Sequence, residues 1–394
     1  MAFVKRDQEH GTISIRNQVE GKLMSKLESL IQELCPNGVE YKSIKQLAEV
    51  GTGSRNGNEA QEDGSYPFFI RSQTVKRMDD WEYDEEAIII PGEGGIGEIY
   101  HYVNGKYAIH QRVYRIHFVN EAVNVKFAFH YFRACFKPFI LRKAVSATVK
   151  SIRKPMIEEF PIPVPPLPVQ SEIVRILDNF TELTAELTAE LTARKQQYEY
   201  YRKQALCFDG NTPMERLGDT CLMKSGKAIK ATFISETQSK TNQYKCYGGN
   251  GVRGFVSELS HQGEYPIIGR QGALCGNINY AVGDFYATEH AVVVKSLGKY
   301  IPRFLFYLLT AMNLNQYKSQ GAQPGLAVGN IENLLAPVPS IKKQEYIVNL
   351  LDRFDTLCND ISTGLPAEIE ARQKQYEYYR DKLLTFKEIN SDEN

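Results

Sequence analysis

Between Ser171 and Leu206 the apolar residues Ile173, Leu177, Phe180, Leu183, Leu187, Leu191, Tyr198 and Leu206 recur every three, four or seven to eight positions, with no internal glycine or proline. That spacing predicts one long amphipathic helix, about 55 Å long at 1.5 Å per residue. Its middle carries "TAELTAEL" from Thr184 to Leu191, and each four-residue unit advances the stripe by about 40° beyond a full turn. Such a drift suits a partner helix wrapped alongside. Helical spacing returns over Lys342 to Cys358 and Glu368 to Phe386, interrupted by "STGLP" at Ser362 to Pro366, where glycine and proline should break or kink it.

The two helical regions are copies of one another. "ARKQQYEYYRKQALCF" from Ala193 parallels "ARQKQYEYYRDKLLTF" from Ala371 at an offset of 178, and "IPVPPLPVQSEIVRILDNFTEL" from Ile162 parallels "APVPSIKKQEYIVNLLDRFDTL" from Ala336 at 174, so the second copy is four residues longer inside this element. Each is preceded by a proline-rich strap, "FPIPVPPLP" or "APVPS", whose X-Pro dipeptides force extended chain and mark a boundary. The segments before the straps, Glu40 to Glu159 and Pro213 to Leu335, are both rich in glycine, tyrosine and short β-prone runs. They read as diverged copies too: Ile44 and Gly53 match Leu217 and Gly226, Gly92 and Gly95 match Gly269 and Gly272, and Tyr107 matches Tyr286. The predicted order is a possible disordered leader 1–23, module 24–160, conserved helix 161–210, module 211–336, conserved helix 337–387 and a tail 388–394. Met24 opens "MSKLESLIQEL", which reads as a natural start.

Composition narrows the function. Lys+Arg and Asp+Glu are both 47, so any nucleic-acid surface must be a local patch. The seven cysteines are scattered without a CxxC pair, which argues against a zinc site and a disulfide framework and fits a reducing cytoplasm. No apolar run reaches the length of a membrane span.

Three kinds of motif carry candidate chemistry. "IIIPGEGGIGEIY" from Ile88 has GxGxxG spacing after an apolar strand, but a dinucleotide site needs a helix after the glycines, whereas "EIYHYVNGKYAIH" alternates and signals a hairpin at Asn104-Gly105. A glycine turn common to both modules explains it better, since "PIIGRQGALCG" keeps the strand and glycines, and it brings Arg270 and Gln271 near a ligand. Arginine and glutamine read guanine and adenine edges. Further polar loops supply Asn250 and Arg253 in "YGGNGVRG", Arg55 and Asn56 in "GTGSRNGN", and Arg71 and Gln73 in "IRSQTVKR". "KPFILRKAVSATVKSIRK" from Lys137 holds Lys143, Lys150 and Arg153 among six basic residues and no acid, a candidate phosphate-contacting stripe. Its counterpart from Asn315 keeps Lys318 and Gln323 but less charge, so the modules should read different things. The chain has no methylation tetrapeptide, P-loop, HExxH or GxSxG, and its seven histidines show no metal-ligand clustering; only His290 beside Glu289 stands out.

This arrangement resembles the specificity (S) subunits of type I restriction-modification enzymes, over nearly the whole chain from about Lys22. The resemblance rests on "PVPPLPVQSEIVRILD" and "RKQQYEYYR", their repeat as "QEYIVNLLDRFD" and "RQKQYEYYR", the TAEL units and the glycine turns. It implies an α+β fold: two α/β target recognition domains separated by two long antiparallel conserved helices, with an internal pseudo-twofold duplication. Each domain would read half of a bipartite asymmetric site in double-stranded DNA. The helices would dock two methyltransferase (M) subunits carrying S-adenosylmethionine, joined by restriction/motor (R) subunits using ATP and Mg. On that reading the chain is a cytoplasmic, prokaryotic, non-catalytic protein without a cofactor or metal of its own. Tyr198, Tyr201, Arg202, Tyr376, Tyr379 and Arg380 become candidate subunit contacts, because tyrosine joins an apolar body to a polar tip, and Leu183, Leu187 and Leu191 of the TAEL stripe become a candidate spacer. A coiled-coil regulator or scaffold would explain the helices but not two glycine-rich modules; a DNA-modifying enzyme would need the missing motifs.

Overall fold

Five consecutive buried residues, Ala87 to Pro91, form the second half of a strand whose two faces are both covered. Side chains alternate across a strand, so Ile88 and Ile90 enter one core with Phe127 and Phe132, while Ala87 and Ile89 enter another with Tyr107 and Ile109. The computed structural model describes residues 25–143, 151–272, 274–319, 324–360 and 362–389, the side chain of Lys143 excepted.

That strand, Tyr83–Pro91, is central in a six-stranded sheet. From edge to edge the order is Ala48–Thr52, Val113–Phe118, Tyr83–Pro91, His101–Ile109, Tyr66–Phe69 and Lys76–Met78. Every pairing is antiparallel except that of His101–Ile109 with Tyr66–Phe69, which is parallel. A second sheet repeats the plan with Cys221–Ser225, Ala291–Ser296, His261–Gly269, Ile278–Ala287, Tyr244–Gly248 and Gly251–Val256, again with one parallel pairing in the same place. The fold is α+β and internally duplicated.

Strand register sharpens the alignment of the copies and corrects it by one residue. Pro91 pairs with Val113 where Gly269 pairs with Ala291, and Phe68 pairs with Ala108 where Cys246 pairs with Tyr286. These equivalents stand 178 residues apart, so Gly92 corresponds to Arg270 rather than Gly269, and Tyr107 to Phe285 rather than Tyr286. Matching identical letters pulled the alignment off the hydrogen-bond ladder. The hairpin expected at Asn104-Gly105 is also absent: His101–Ile109 is one strand, with Gly105 opposite Glu85. Gly105 has φ +109° and its equivalent Gly283 has φ +82°, so glycine here permits an irregularity within the strand instead of a turn. The chain reverses earlier, at residues 92–100, where Gly94, Gly95 and Gly97 take φ of +75°, +63° and +64°. No helix separates them from the next strand, so the turn lacks the helix that a dinucleotide fingerprint needs.

The central helix runs unbroken over Leu167–Ala205. The distal one is two helices, Ile341–Asn359 and Leu365–Leu383. Gly364 marks the break: a Cβ there would lie 2.6 Å from the Thr356 carbonyl oxygen. The chain divides into two compact units inside these helices, one comprising residues up to Glu186 and from Ile369, the other Leu187–Glu368. Each unit joins a sheet to a segment from both conserved copies. In the first, Phe180 stacks on Tyr379 with ring centroids 5.3 Å apart; in the second, Phe354 stacks on Tyr201 at 5.4 Å. One pair is the other with the copies exchanged.

A buried glutamine ties each helix to its sheet domain. Gln170 Oε1 accepts from the Asn124 N–H (2.8 Å) while its amide donates to the carbonyls of Ala122 (2.7 Å) and Pro165 (2.6 Å). Gln344 accepts from the Ile301 N–H (2.8 Å) and donates to the carbonyls of Lys299 and Pro339, each at 2.9 Å. Asn124 and Ile301 are the N-caps of the helices Val125–Tyr131 and Pro302–Ala311. The first caps its helix with an asparagine side chain, and the second places a proline in its first turn, two remedies for the same unpaired N–H groups.

Candidate nucleic-acid interface

In the second unit a tight hairpin links Tyr244–Gly248 to Gly251–Val256, with Gly248 paired to Gly251. Gly251 has φ +95°. A Cβ on Gly248 would sit 2.4 Å from Arg253 Cδ, so glycine there leaves the lane in which the arginine lies. The turn borders a cleft of about 660 Å³ lined by Gly249, Asn250, Val252, Arg253, Gln271, Gly272, His290 and Gly325. Three sequence candidates, Asn250, Arg253 and Gln271, thus converge, and His290 joins them.

Arg253 is exposed and makes no ion pair or hydrogen bond among the described residues. Asn250 Oδ1 accepts from Asn277 Nδ2 at 3.3 Å. Gln271 pairs with Gly325 through an isolated β-bridge. His290 Nε2 lies 3.1 Å from Glu289 Oε1, and its Nδ1, like Asn279 Nδ2, is buried with no hydrogen-bond partner among the described residues. Arg270 lies outside the cleft lining: its N–H donates to the His290 carbonyl at 2.9 Å and its guanidinium to Ser225 Oγ at 3.2 Å. Lys318 donates to Asn315 Oδ1 at 3.0 Å. Gln323 lies outside the described residues.

The first unit has a smaller cleft of about 290 Å³ lined by Gly57, Ile70, Arg71, Glu93, Gly94 and His110. Glu93 Oε2 accepts from Arg71 Nη1 (3.2 Å) and from Arg112 Nη1 (2.9 Å). The Arg112 hydrogen bond holds the Glu93 carboxyl below the usual carboxylate range. Arg55 is engaged by three carboxylates: Asp80, Glu59 (3.4 Å) and Glu82 (3.9 Å). Asn56 Oδ1 accepts from Gln111 at 3.0 Å, and Gln73 is exposed. Of the basic stripe, Arg153 is exposed ahead of the helix Lys154–Glu158. Lys143 ends the helix Lys137–Lys143; its side chain and all of Lys150 lie outside the described residues. Glu98 pairs with Lys137 and Glu158 with Lys154 (3.5 Å), so acids from elsewhere meet a stripe that has none of its own.

Arg112 lies in no motif that the sequence singles out, and His110 only closes the stretch read there as a hairpin. They occupy the short link between strands ending at Ile109 and beginning at Val113. A link of that length between two apolar runs was the available signal.

On the conserved helices the tyrosines divide by face. Tyr198 and Tyr201 lie 6.2 and 5.4 Å from Phe354, and Arg202 covers the Tyr198 ring at 5.8 Å. Tyr376 and Tyr379 pack against the first unit's core, and Arg380 covers Tyr376 at 5.9 Å. Tyr200 and Tyr378, equivalent in the repeat, are 59% and 65% exposed. In the TAEL stripe Leu187 is buried, with Leu183 and Leu191 half-buried beside exposed alanines and glutamates. Among the described residues no group of three His, Cys, Asp or Glu could hold a metal ion, and no helix is long and apolar enough to cross a membrane.

Comparison with known proteins agrees with this duplication. The chain is 46% identical over 258 residues to the EcoprrI type I restriction enzyme specificity subunit of Escherichia coli, covering 61% of this chain and 64% of that subunit. It is 30% identical over 380 residues to a candidate type I restriction enzyme specificity subunit of Haemophilus influenzae, covering 88% and 96%. A crystal structure of a type I restriction-modification S subunit from M. genitalium shares the fold with a TM-score of 0.62 at 18% identity, over 88% of this chain and 96% of that one. The family model for the type I restriction modification DNA specificity domain matches twice, over residues 36–194 and 211–371. The chain therefore belongs to the family of type I restriction-modification DNA specificity proteins and carries the family's domain in duplicate.

Proposed function

We propose that the chain is the DNA sequence-recognition subunit of a type I restriction-modification complex, reading a split asymmetric site with one sheet domain for each half. One observation carries this reading. The two sheets have the same topology, yet equivalent positions beside their clefts hold unlike chemistry: Arg71 against Gly249, Glu93 against Gln271, Arg112 against His290. A shared frame with different donors and acceptors at the same end of its strands suits two different base sequences.

The chemistry of modification and cleavage then belongs to partners, methyltransferase subunits with S-adenosylmethionine and motor subunits with ATP and Mg. Two equivalent exposed tyrosines, Tyr200 and Tyr378, each T-shaped against a neighbouring tyrosine at 5.5 and 5.3 Å, support docking of two copies of one methyltransferase. With 47 basic and 47 acidic residues, the chain alone should bind DNA weakly, gaining specific affinity in the complex.

Mapping the adenines methylated by the assembled complex tests the reading: two short constant sequences flanking an unread spacer are expected, and a continuous or unspecific pattern overturns it. The TAEL units act in this scheme as a ruler. Deleting Thr188 to Leu191 removes about 6 Å of helix and rotates the chain beyond the deletion by about 40°. Against a DNA rise of about 3.4 Å per base pair, the spacer should shorten by one base pair, or at most two, with both half-sites kept. An unchanged spacer removes the ruler role.

A further inference from the structure

We propose that Arg71 and Arg112, held together by Glu93, are the guanine-reading pair of the first sheet domain. This deepens the DNA-recognition reading and rests on it. Both guanidiniums donate to the same Glu93 oxygen, at 3.2 and 2.9 Å, and are 45% and 57% exposed. Each fork therefore spends one N–H on the carboxylate and keeps others without a hydrogen-bond partner among the described residues, and arginine bidentate to guanine O6 and N7 is the commonest specific base contact. The shared carboxylate orders two long side chains before DNA arrives, which lowers the entropy lost on binding. It also leaves the trio with one net positive charge instead of two, which weakens indiscriminate phosphate attraction.

The backbones beneath the pair are fixed. The Arg112 N–H donates to His110 Nδ1 at 3.0 Å, and its carbonyl accepts from the Gly92 N–H at 2.9 Å. Gly92 in turn accepts from the Ile152 N–H at 2.8 Å. Next to Arg71, the Ser72 carbonyl lies 3.2 Å from His101 Nε2. His101 and His110 are both buried, and that burial lowers their pKa values. As neutral imidazoles, His110 accepts and His101 donates, which is what these contacts need. The second domain has no arginine at the equivalent positions Gly249 and His290; its cleft arginine, Arg253, stands where the first domain has Val75. Glu93 is a positioning residue, and Arg71 and Arg112 are the readers.

The test uses the full chain assembled with its methyltransferase and duplexes carrying the mapped site. Replacing guanine by 7-deazaguanine in the half-site read by the first domain removes one acceptor and should weaken native binding roughly 10-fold. Arg112→Ala or Arg71→Ala should lose that sensitivity at one guanine each while leaving the other half-site fully discriminated. Glu93→Gln, which keeps an acceptor, should retain more discrimination than Glu93→Ala. If both arginine variants keep the native response to every 7-deazaguanine position, or the half-site contains no guanine, the pair does not read bases. A complex that recognises no split site at all overturns the functional reading and this inference with it.

Discussion

Asp178 in the first unit and Asp352 in the second occupy equivalent positions on the conserved helices, and each clamps the first helix after its sheet by a different chemistry. Asp178 accepts from Lys126 Nζ and His130 Nε2, both at 2.9 Å. Asp352 accepts from Arg303 Nε at 2.7 Å and from the Tyr307 hydroxyl. Arg303 also reaches Asp355 at 3.0 Å and lies about 5 Å from the rings of Tyr280, Phe306 and Tyr307. The aspartate belongs to the conserved copy and its partners to the variable one. A variable domain can therefore change sequence freely as long as it returns a cation and a second donor to one fixed carboxylate, and a helix start to one fixed glutamine.

The largest difference between the units should appear in their stacked aromatics. Phe180 is 4% exposed and half of a closed stack, whereas Phe354 is only half-buried. Phe180→Ala should cost about 3–5 kcal/mol, the usual range for a buried phenylalanine, and Phe354→Ala half of that, roughly 2 kcal/mol. Chemical denaturation combined with hydrogen exchange in each unit measures both; equal losses would mean that the two stacks are energetically alike despite their burial.

The glutamine clamps should show the opposite result. Gln170→Leu or Gln344→Leu leaves one N–H and two carbonyls without their partner in a buried site, at about 1–3 kcal/mol per stranded group before relaxation. A net loss of about 2–3 kcal/mol is expected in either unit, because the three hydrogen bonds match in type and nearly in length. A loss confined to one unit would break the equivalence of the clamps.

The conserved helices, their repeat and the glycine turn were legible because identical letters and a 3.6-residue stripe need no tertiary information. What escaped depended on the ladder. Gly105 looked like a hairpin because Asn-Gly usually turns, yet a partner strand holds it opposite Glu85. Gly92 was matched to Gly269 because glycine is conspicuous, while register matches it to Arg270. Of the candidate readers, Asn250, Arg253 and Gln271 meet in one cleft because a two-residue hairpin and a glycine turn fall at the same end of the strands. Arg55 carries as good a sequence signal, but its guanidinium is ion-paired with Asp80 and Glu82, some 25 residues on. Ion pairs between distant segments leave no trace in a local motif.

Acid should separate the two aspartate clamps by the smallest margin and the clearest sign. Burial lowers the pKa of His130, overriding Asp178, which acts to raise it, while Lys126 and Arg133 add to the lowering. For Asp178 burial acts upward, and the hydrogen bonds from Lys126 and His130 overcome it to leave the carboxyl lowered. Below the ordinary histidine value of 6.5 the unfolded chain takes up a proton that folded His130 refuses, so stability falls as pH falls from there to the lowered folded value. Asp178 adds a second loss only below its ordinary 3.8. In the other clamp Arg303 and Tyr307 are both raised, so neither changes charge over that acid range. Between about pH 7 and 5.5, spanning the ordinary histidine range, the helix Val125–Tyr131 should therefore lose hydrogen-exchange protection, corrected for intrinsic rates, while Pro302–Ala311 keeps its own. His130→Gln, which can still donate to Asp178 but does not titrate, should remove the pH dependence of the first helix. If that variant loses protection on acidification as the native chain does, another group carries the effect, and the two clamps differ in composition but not in their response to acid.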